Sequence, residues 1–416
     1  MKAVIFAAGK GVRLWPLTET TAKPLLPIAG RPMLERTIEG LANAGIREIA
    51  ILTYHKEEKI KEVLSTRGAR GPHITFVHQE RLLGTADALR SCEKWLKGES
   101  SFLVIHGDDY YSKRGIAKFL AAVDGLDDQA VATADSDDPS RFGSLEIDRG
   151  AVVSIHEKVT SNGPAKVNAA LYHLSSSIFR ILKSVRPSAR GEYELTDAVN
   201  QSIRTGNSLR AIPLAKNDWH GVTYPWDLLI ANQIELQNMN RSRGKGGVER
   251  GASIAGPVAI GKGATIKSGS YIEGPAVIGE NSLIGPNSYI RPFTSIGSNC
   301  KVGAGCEVKA SILMNNSHVP HLSYVGDSIL GEGCSLGAGT ITANLRFDDS
   351  SVLSMVRGEL VNSRRRKLGA ILGDGVRTGI NVSIFPGVKL GAGARIWPGV
   401  SVRRDVPRGA TVRENA

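Results

Sequence analysis

Three groups of residues in this 416-residue chain have types and spacing that suit chemistry. The first is Ala8-Gly9-Lys10-Gly11-Val12-Arg13, with Pro16, Thr18, Lys23 and Pro24 following. It leaves an apolar run, KAVIFAA, that reads as a buried strand. Glycines after a first strand let backbone N–H groups approach phosphate oxygens closely, and Arg13 and Lys23 add two cations that suit a triphosphate. The turn is neither a G-x-G-x-x-G fingerprint nor a Walker sequence. The second is Asp108, which follows the strand-like FLVIHG. An acid at the C-terminal end of a central strand stands where an α/β sheet binds its ligands. The third is His318-Val319-Pro320-His321-Leu322-Ser323-Tyr324-Val325-Gly326-Asp327, followed by Gly337-Ala338-Gly339-Thr340-Ile341-Thr342-Ala343-Asn344. A histidine titrates near neutral pH and is suited to taking a proton there.

Two kinds of element must position these groups. Up to about residue 227 apolar runs alternate with helical patterns. KAVIFAA, EIAILTY, ITFVHQ and SFLVIHGDD read as strands; MLERTIEGLANAG, EEKIKEVL and TADALRSCEKWL read as helices. That alternation predicts an α/β, doubly wound domain with a mostly parallel sheet over residues 1–227. Residues 228–241 read as one helix leading into the flexible RSRGKGG, so 228–250 is expected to be helix and linker. From 251 to 416 a period of six takes over. Branched apolar residues fall at Ile254, Ile260, Ile266, Ile272, Ile278, Ile284, Ile290, Ile296, Val302 and Val308, with a small residue four positions after each from Ile260 to Val302. A period of six fits a triangular coil, each side taking six residues and pointing its branched residue inward. The register breaks after Met314 and returns at Leu330, Leu336 and then from Leu372. The break predicts a loop that projects outward and carries His318 and His321. Cys300, Cys306 and Cys334 fill small-residue slots and read as packed core thiols.

The first group resembles the signature of the sugar-1-phosphate nucleotidylyltransferases, and the resemblance continues in order along the chain. It implies that Ala8, Gly9, Gly11, Gln79, Gly84 and Thr85 bind the nucleotide, the last three as part of a base-reading segment. It makes Arg13 and Lys23 catalytic, Asp108 a Mg²⁺ ligand, and Gly143, Glu157, Lys158 and Asn168 sugar-binding. Where the family carries a second metal ligand, this chain has Gly221 and Thr223; Asp218 and Asp227 lie near in sequence. The six-residue period is similar to the hexapeptide-repeat, left-handed parallel β-helix. The third group resembles the acetyltransferase half of the bifunctional enzymes that make UDP-N-acetylglucosamine, and more closely their archaeal two-domain version. By that resemblance His321 is the general base, with Asn344 catalytic and Tyr324, Arg291 and Lys309 on the acceptor sugar phosphate. Ala338 meets acetyl-CoA, the co-substrate. The chemistry suits these types, because an amine must lose a proton before it attacks a thioester. The run Arg364-Arg365-Arg366-Lys367 has two readings, contacts to coenzyme phosphates or a solvated basic loop. Related β-helices bind zinc through three histidines, but residues 251–416 contain two. Their assembly implies a homotrimer or a multiple of three.

Composition sets the bounds. Hydrophobic residues are 41% and charged residues 22%, an ordinary globular balance. Four cysteines without a C-x-x-C pair, no apolar stretch long enough to cross a membrane and no signal-peptide pattern predict a reduced, cytoplasmic protein. Net charge is +12, and Lys+Arg exceed Asp+Glu by 22 to 12 in residues 241–416. Such a surface suits anionic partners, here a nucleoside triphosphate, a sugar 1-phosphate and acetyl-CoA. The basic residues lack aromatic interleaving, which argues against nucleic acid. Two other functions fit part of the pattern: a glucose-1-phosphate nucleotidylyltransferase whose β-helix only assembles subunits, and a non-catalytic sugar-nucleotide sensor.

Overall fold

A computed structural model of the chain describes residues 1–65, 71–157, 163–239 and 246–414. Most of the expected linker, and Lys158, lie outside them. The chain forms two compact units. The first comprises Met1–Lys10, Ala22–Leu25 and Met33–Gly221; the second comprises Gly11–Thr21, Leu26–Pro32 and Val222–Ala416.

The first unit is built on a nine-stranded sheet. In chain order its strands are β1 (Lys2–Phe6), β2 (Glu48–Thr53), β3 (His73–His78), β4 (Ser101–His106), β5 (Gln129–Ser136), β6 (Gly143–Asp148), β7 (Ala151–Glu157), β8 (Ala165–Ser175) and β9 (Leu209–Pro213). Their spatial order is β3-β2-β1-β4-β8-β5-β9-β7-β6. The pairs β1–β2, β1–β4, β2–β3 and β5–β9 are parallel. Strand β8 runs antiparallel between β4 and β5, and β6 and β7 form an antiparallel ribbon, so the sheet is mixed. β1 and β4 are buried along most of their length, which is why they read as unbroken apolar runs. The helix Met33–Asn43 presents Leu34, Ile38 and Leu41 to the core. The TADALR helix is shorter than its pattern suggests: it spans Thr85–Arg90, and turns follow it.

In the second unit the helix Pro225–Gln237 begins at a proline and ends earlier than the 228–241 pattern predicts. From Gly247, one later hairpin apart, the strands are two or three residues long and stack in parallel on three sides, the arrangement of a parallel β-helix. One side has eight strands and another seven; the third runs five strands, a bridge at Ser335 and three more. Ile266, Ile272, Ile284, Ile290, Ile296, Val302 and Val308 are wholly buried in one column. The small slots do more than allow corners. Ser282 and Ser288 donate to the carbonyls of Gly297 and Gly303 in the next coil, each at 2.7 Å. Cys300 and Cys306 occupy the same slot, with Sγ 3.2 Å from the carbonyls of Met314 and Val319. Burial pushes the Cys300 thiol up to about 11 and that of Cys334 to about 12.

The register break is not an outward loop. Early coils repeat every 18 residues, as in Ile278 against Ile296. Then Lys301 pairs with His318, Glu307 with Tyr324 and Ile312 with Ile329, each 17 positions on. Corners at Lys309–Ser311 and Gly326–Ser328 have lost a residue, and Ala310 and Asp327 turn them at φ +45° and +49°. The stretch NNSHVPHLSY therefore stays on the coil. The true excursion lies between the strands Ile341–Thr342 and Ile371–Leu372 and contains an antiparallel hairpin, Leu353–Val356 with Glu359–Asn362. Among the described residues no helix is long and apolar enough to cross a membrane.

Candidate active sites

In the first unit Ala8 and Gly9 follow β1 and Asp108 follows β4, whereas Gln79 follows β3 and Gly84 and Thr85 pack against Tyr193 and Leu195. Ala8 accepts from the His55 N–H at 3.4 Å, and a Cβ at Gly9 would meet nothing within 4 Å, leaving the backbone accessible. Asp108 lies just beyond β4, and its Oδ2 takes Lys23 Nζ at 2.7 Å. Burial raises the Asp108 pKa, but Lys23 and His106 outweigh it, so the carboxyl titrates below its ordinary range. Gln79 is buried and its amide lies 3.5 Å from Asp87. Gly84 adopts φ +116°, and a Cβ there would strike the Tyr193 carbonyl oxygen at 2.5 Å. Tyr193 holds both sides of this turn, donating to Leu83 O and accepting from Ala86 N–H. The Thr85 hydroxyl accepts from the Leu195 N–H at 2.8 Å, so its side chain fixes the segment.

The ribbon brings the expected sugar residues together. Glu157 pairs with Gly143, and a Cβ at Gly143 would stand 3.2 Å from Glu157 Oε1 and 3.7 Å from Asn168 Cβ. Asn168 Oδ1 accepts from the Ala170 N–H at 2.8 Å, and its amide donates to the Tyr172 hydroxyl. Arg190, which no sequence motif singles out, reaches Glu157 at 3.5 Å and Glu194 at 2.7 Å. Lys158 lies outside the described residues. The two acids near the altered metal-ligand positions are committed elsewhere. Asp218 takes the Ser112 hydroxyl at 2.7 Å and Arg114 at 3.0 Å. In the second unit Asp227 accepts from the N–H groups of Thr223 and Tyr224, each at 2.7 Å.

Also in the second unit, Gly11 stands at φ +62° before the turn Val12–Leu14 and accepts from Leu14 N–H and the Thr18 hydroxyl, each at 2.9 Å. Arg13, on that turn, has no hydrogen-bond or ion-pair partner among the described residues. The acetyl-transfer candidates meet on the outer face of one β-helix side. Arg291 and Lys309 follow the inward Ile290 and Val308, which pair in adjacent coils. Arg291 binds Glu307 at 2.8 Å, and Lys309 binds Asp327 at 3.1 Å. Asn344 donates to Asp327 at 2.7 Å and to the Tyr324 hydroxyl at 3.1 Å. A Cβ at Gly326 would lie 2.4 Å from that hydroxyl, so glycine there lets the ring cross the backbone. Burial raises the Tyr324 pKa, and the bond from Asn344 partly offsets it. Asp327 is the centre of this network, although the sequence offers it only as the end of a quoted motif. His321 is exposed in the corner after the strand His318–Val319. Its carbonyl accepts from the Ser323 hydroxyl at 2.7 Å, and its ring makes no hydrogen bond among the described residues. His318 lies on the strand between Lys301 and Ser335. Ala338 gives its carbonyl to Asn381 N–H at 2.8 Å. The basic run divides: Arg365 turns in to Asp327 at 3.5 Å, and Arg366 turns out to Asp349 at 2.7 Å.

The altered metal-ligand position has a steric reading. A Cβ on Gly221 would lie 2.3 Å from Phe142 Cε1 and 3.1 Å from Trp219 Cζ2, where the two rings pack edge to face. Gly221→Asp is expected to displace Phe142 and destabilise the protein by about 1–3 kcal/mol, the usual cost of overpacking. Thermal unfolding of the variant checks it; an unchanged Tm with raised nucleotidyl transfer would show that an aspartate is accommodated and useful.

Residues 2–238 match the nucleotidyl transferase family model, and residues 272–379 match that of the GMPPB C-terminal domain. The chain is 42% identical over 397 residues to the bifunctional protein GlmU of Methanococcus maripaludis, covering 93% of this chain and 90% of that one. It is 41% identical over 415 residues to the bifunctional sugar-1-phosphate nucleotidylyltransferase/acetyltransferase of Sulfurisphaera tokodaii, covering 98% and 99%. A crystal structure of a putative glucose-1-phosphate thymidylyltransferase from Bacillus anthracis, in complex with a sucrose, aligns with TM-score 0.52 at 29% identity. It covers 58% of this chain and 98% of its own. The chain belongs to the nucleotidyl transferase family and, over nearly its whole length, to the bifunctional sugar-1-phosphate nucleotidylyltransferase/acetyltransferases.

Proposed function

We propose that residues 251–416 acetylate glucosamine 1-phosphate, or a related amino-sugar phosphate, from acetyl-CoA. Residues 1–227 then transfer a nucleotidyl group from UTP or dTTP to the sugar 1-phosphate and release pyrophosphate, and 228–250 join the two. The observation that carries this reading is the convergence of Arg291, Lys309, Tyr324 and Asn344 around one β-helix face, in a chain with one relative named for both activities and another named as bifunctional. A β-helix that only assembled subunits would not need that network, and a sensor would not need Lys23 set against Asp108.

In acetyl transfer the amine nitrogen attacks the thioester carbon, His321 takes the amine proton, and the C–S bond breaks to release coenzyme A as its thiol, leaving the amide. The exposed ring is free to take that proton without breaking another bond. Asn344 and Tyr324 orient the acceptor, Arg291 and Lys309 meet its phosphate, and the Ala338 backbone meets acetyl-CoA. In nucleotidyl transfer Gly9 and Lys23 hold the triphosphate, Gln79, Gly84 and Thr85 read the base, and the sequence resemblance gives Gly11 and Arg13 a part in the same reaction. Glu157, Asn168 and Lys158 hold the sugar phosphate whose oxygen attacks the α-phosphorus. Among the described residues no three acidic, histidine or cysteine side chains gather to cage a metal. The lone Asp108 carboxylate fits Mg²⁺, which is commonly bound by one or two carboxylates with substrate phosphates and water. When bound there it would neutralise triphosphate charge, and Lys23 would be released to the phosphates. We also read the solenoid as left-handed and the assembly as a homotrimer or multiple of three, in the cytoplasm.

Asp108→Ala is expected to remove Mg²⁺-dependent pyrophosphate release while acetyl transfer persists. Near-normal release would refute the metal assignment. His321→Ala is expected to cut coenzyme A release by about 10²–10⁴-fold at neutral pH with Tm and pyrophosphate release unchanged. Normal specific activity in the folded fraction would remove His321 from the mechanism. Light scattering at micromolar protein should give three chains or a multiple; a monomer would exclude that assembly.

A further inference from the structure

The excursion after Asn344 returns to the coil at a narrow stem. Leu368 N–H donates to the Asn344 carbonyl at 2.9 Å, and Gly369 N–H donates to the Asp327 carbonyl at 2.8 Å. A Cβ on Gly369 would lie 2.2 Å from the Gly326 carbonyl oxygen, so the closeness of this return depends on glycine. The stem thus ties its own backbone to two residues of the acetyl-transfer network. Three residues before it closes, it delivers Arg365 to the same place.

Arg365 and Lys309 sit on opposite oxygens of one carboxylate: Nη2 of Arg365 faces Asp327 Oδ1, and Nζ of Lys309 faces Oδ2. The Arg365 side chain is 18% exposed and that of Asp327 6%, so this pairing is built in rather than a surface encounter. Arg365 Nε is spent on the Lys367 carbonyl at 3.1 Å, whereas Nη1 makes no hydrogen bond among the described residues. The direct ion pairs of Arg291, Lys309 and Arg365 run to two carboxylates, Glu307 and Asp327, and the buried Asp227 acts on Arg365 electrostatically. Arg365 Nη1 still has its N–H groups to give. A phosphate is the anion that matches, since a guanidinium fork suits its oxygens.

We propose that Arg365 is a third cation of the acceptor-phosphate cradle, and that Asp327 is the positioning residue that sets it beside Lys309 and Asn344. This rests on the reading of residues 251–416 as an amino-sugar-phosphate acetyltransferase. It assigns Arg365 to the acceptor and not to the coenzyme, separating it from Arg366, whose charge is spent on Asp349 in solvent.

The test is steady-state coenzyme A release by the full chain with glucosamine 1-phosphate and acetyl-CoA varied separately. Arg365→Ala is expected to raise KM for glucosamine 1-phosphate about 10- to 100-fold, the range for a charge-assisted hydrogen bond, with KM for acetyl-CoA within about twofold. Arg365→Lys, which keeps charge but loses the fork, should fall between. Asp327→Asn should raise the same KM, and Arg365→Ala should add less on that background than alone, because the two act through one contact. A rise in the acetyl-CoA KM instead would overturn the proposal in favour of a coenzyme contact. A fall in Tm or kcat with both KM values unchanged in Arg365→Ala and Arg365→Lys would overturn it in favour of a structural clasp. Absence of coenzyme A release by the wild-type chain across a panel of amino-sugar phosphates would overturn the acetyltransferase reading itself, an outcome visible before any variant is made.

Discussion

The second unit depends on one constraint: each coil must set its backbone N–H and C=O groups against those of the coil before it. That ladder fixes which residues stand over which. Inward positions become the Ile and Val column, and outward positions become columns of side chains a few ångströms apart. Tyr271, Tyr289, Glu307 and Tyr324 are such an outward column, paired residue to residue. Arg291, Lys309 and Gly326 occupy the next one. Chemistry on a solenoid is a matter of coil register, since residues 17 or 18 apart in sequence become neighbours.

The shortened corners use that constraint. Removing one residue at Gly326–Ser328 turns Asp327 through a left-handed conformation directly after Gly326, the partner of Lys309. Asp327 tolerates this because a short polar side chain is among the least penalised there. The result is a nearly buried carboxylate aligned with a lysine one coil earlier. It gives Lys309, Asn344 and Arg365 a common acceptor. Glycines at 326 and 369 complete the arrangement, one leaving room for the Tyr324 ring and the other letting the excursion return.

Much of this was legible in the sequence, for physical reasons. The period of six was visible because only branched residues fill the prism, and the strands β1 and β4 were visible because burial on both faces makes them continuously apolar. What misled was the break. Val308 to Leu313 is five residues instead of six, and a missing residue looks like lost register although the coil continues. The excursion was missed for the opposite reason: its hairpin and polar connections have no period to betray them. Arg365 and Asp327 belong to the class of residue that spacing does not reveal, since each acts through a stem closed by backbone contacts. In the first unit Gly143, Glu157 and Asn168, named from the sequence, lie near one another, whereas Arg190 is joined to Glu157 only by folding.

A common electrostatic plan links the sites. Three of the cations proposed for phosphates, Lys23, Arg291 and Lys309, each rest on an acid: Asp108, Glu307 and Asp327. An unpaired cation at a partly buried position would be costly in the free protein, because it loses water without gaining a partner. Parking it on a carboxylate removes that cost and holds the long side chain in place. Binding an anion then exchanges one partner for another instead of ordering and desolvating a free lysine. The exchange also loosens the acid. At Asp108 a freed carboxylate would suit a divalent cation arriving with a triphosphate, the role proposed for it above. At Asp327 the acid would remain tied by Asn344 and Arg365 while Lys309 turned to a phosphate. The difference follows from the number of side chains on the carboxylate among the described residues: Lys23 alone hydrogen-bonds Asp108, whereas Lys309, Asn344 and Arg365 meet Asp327.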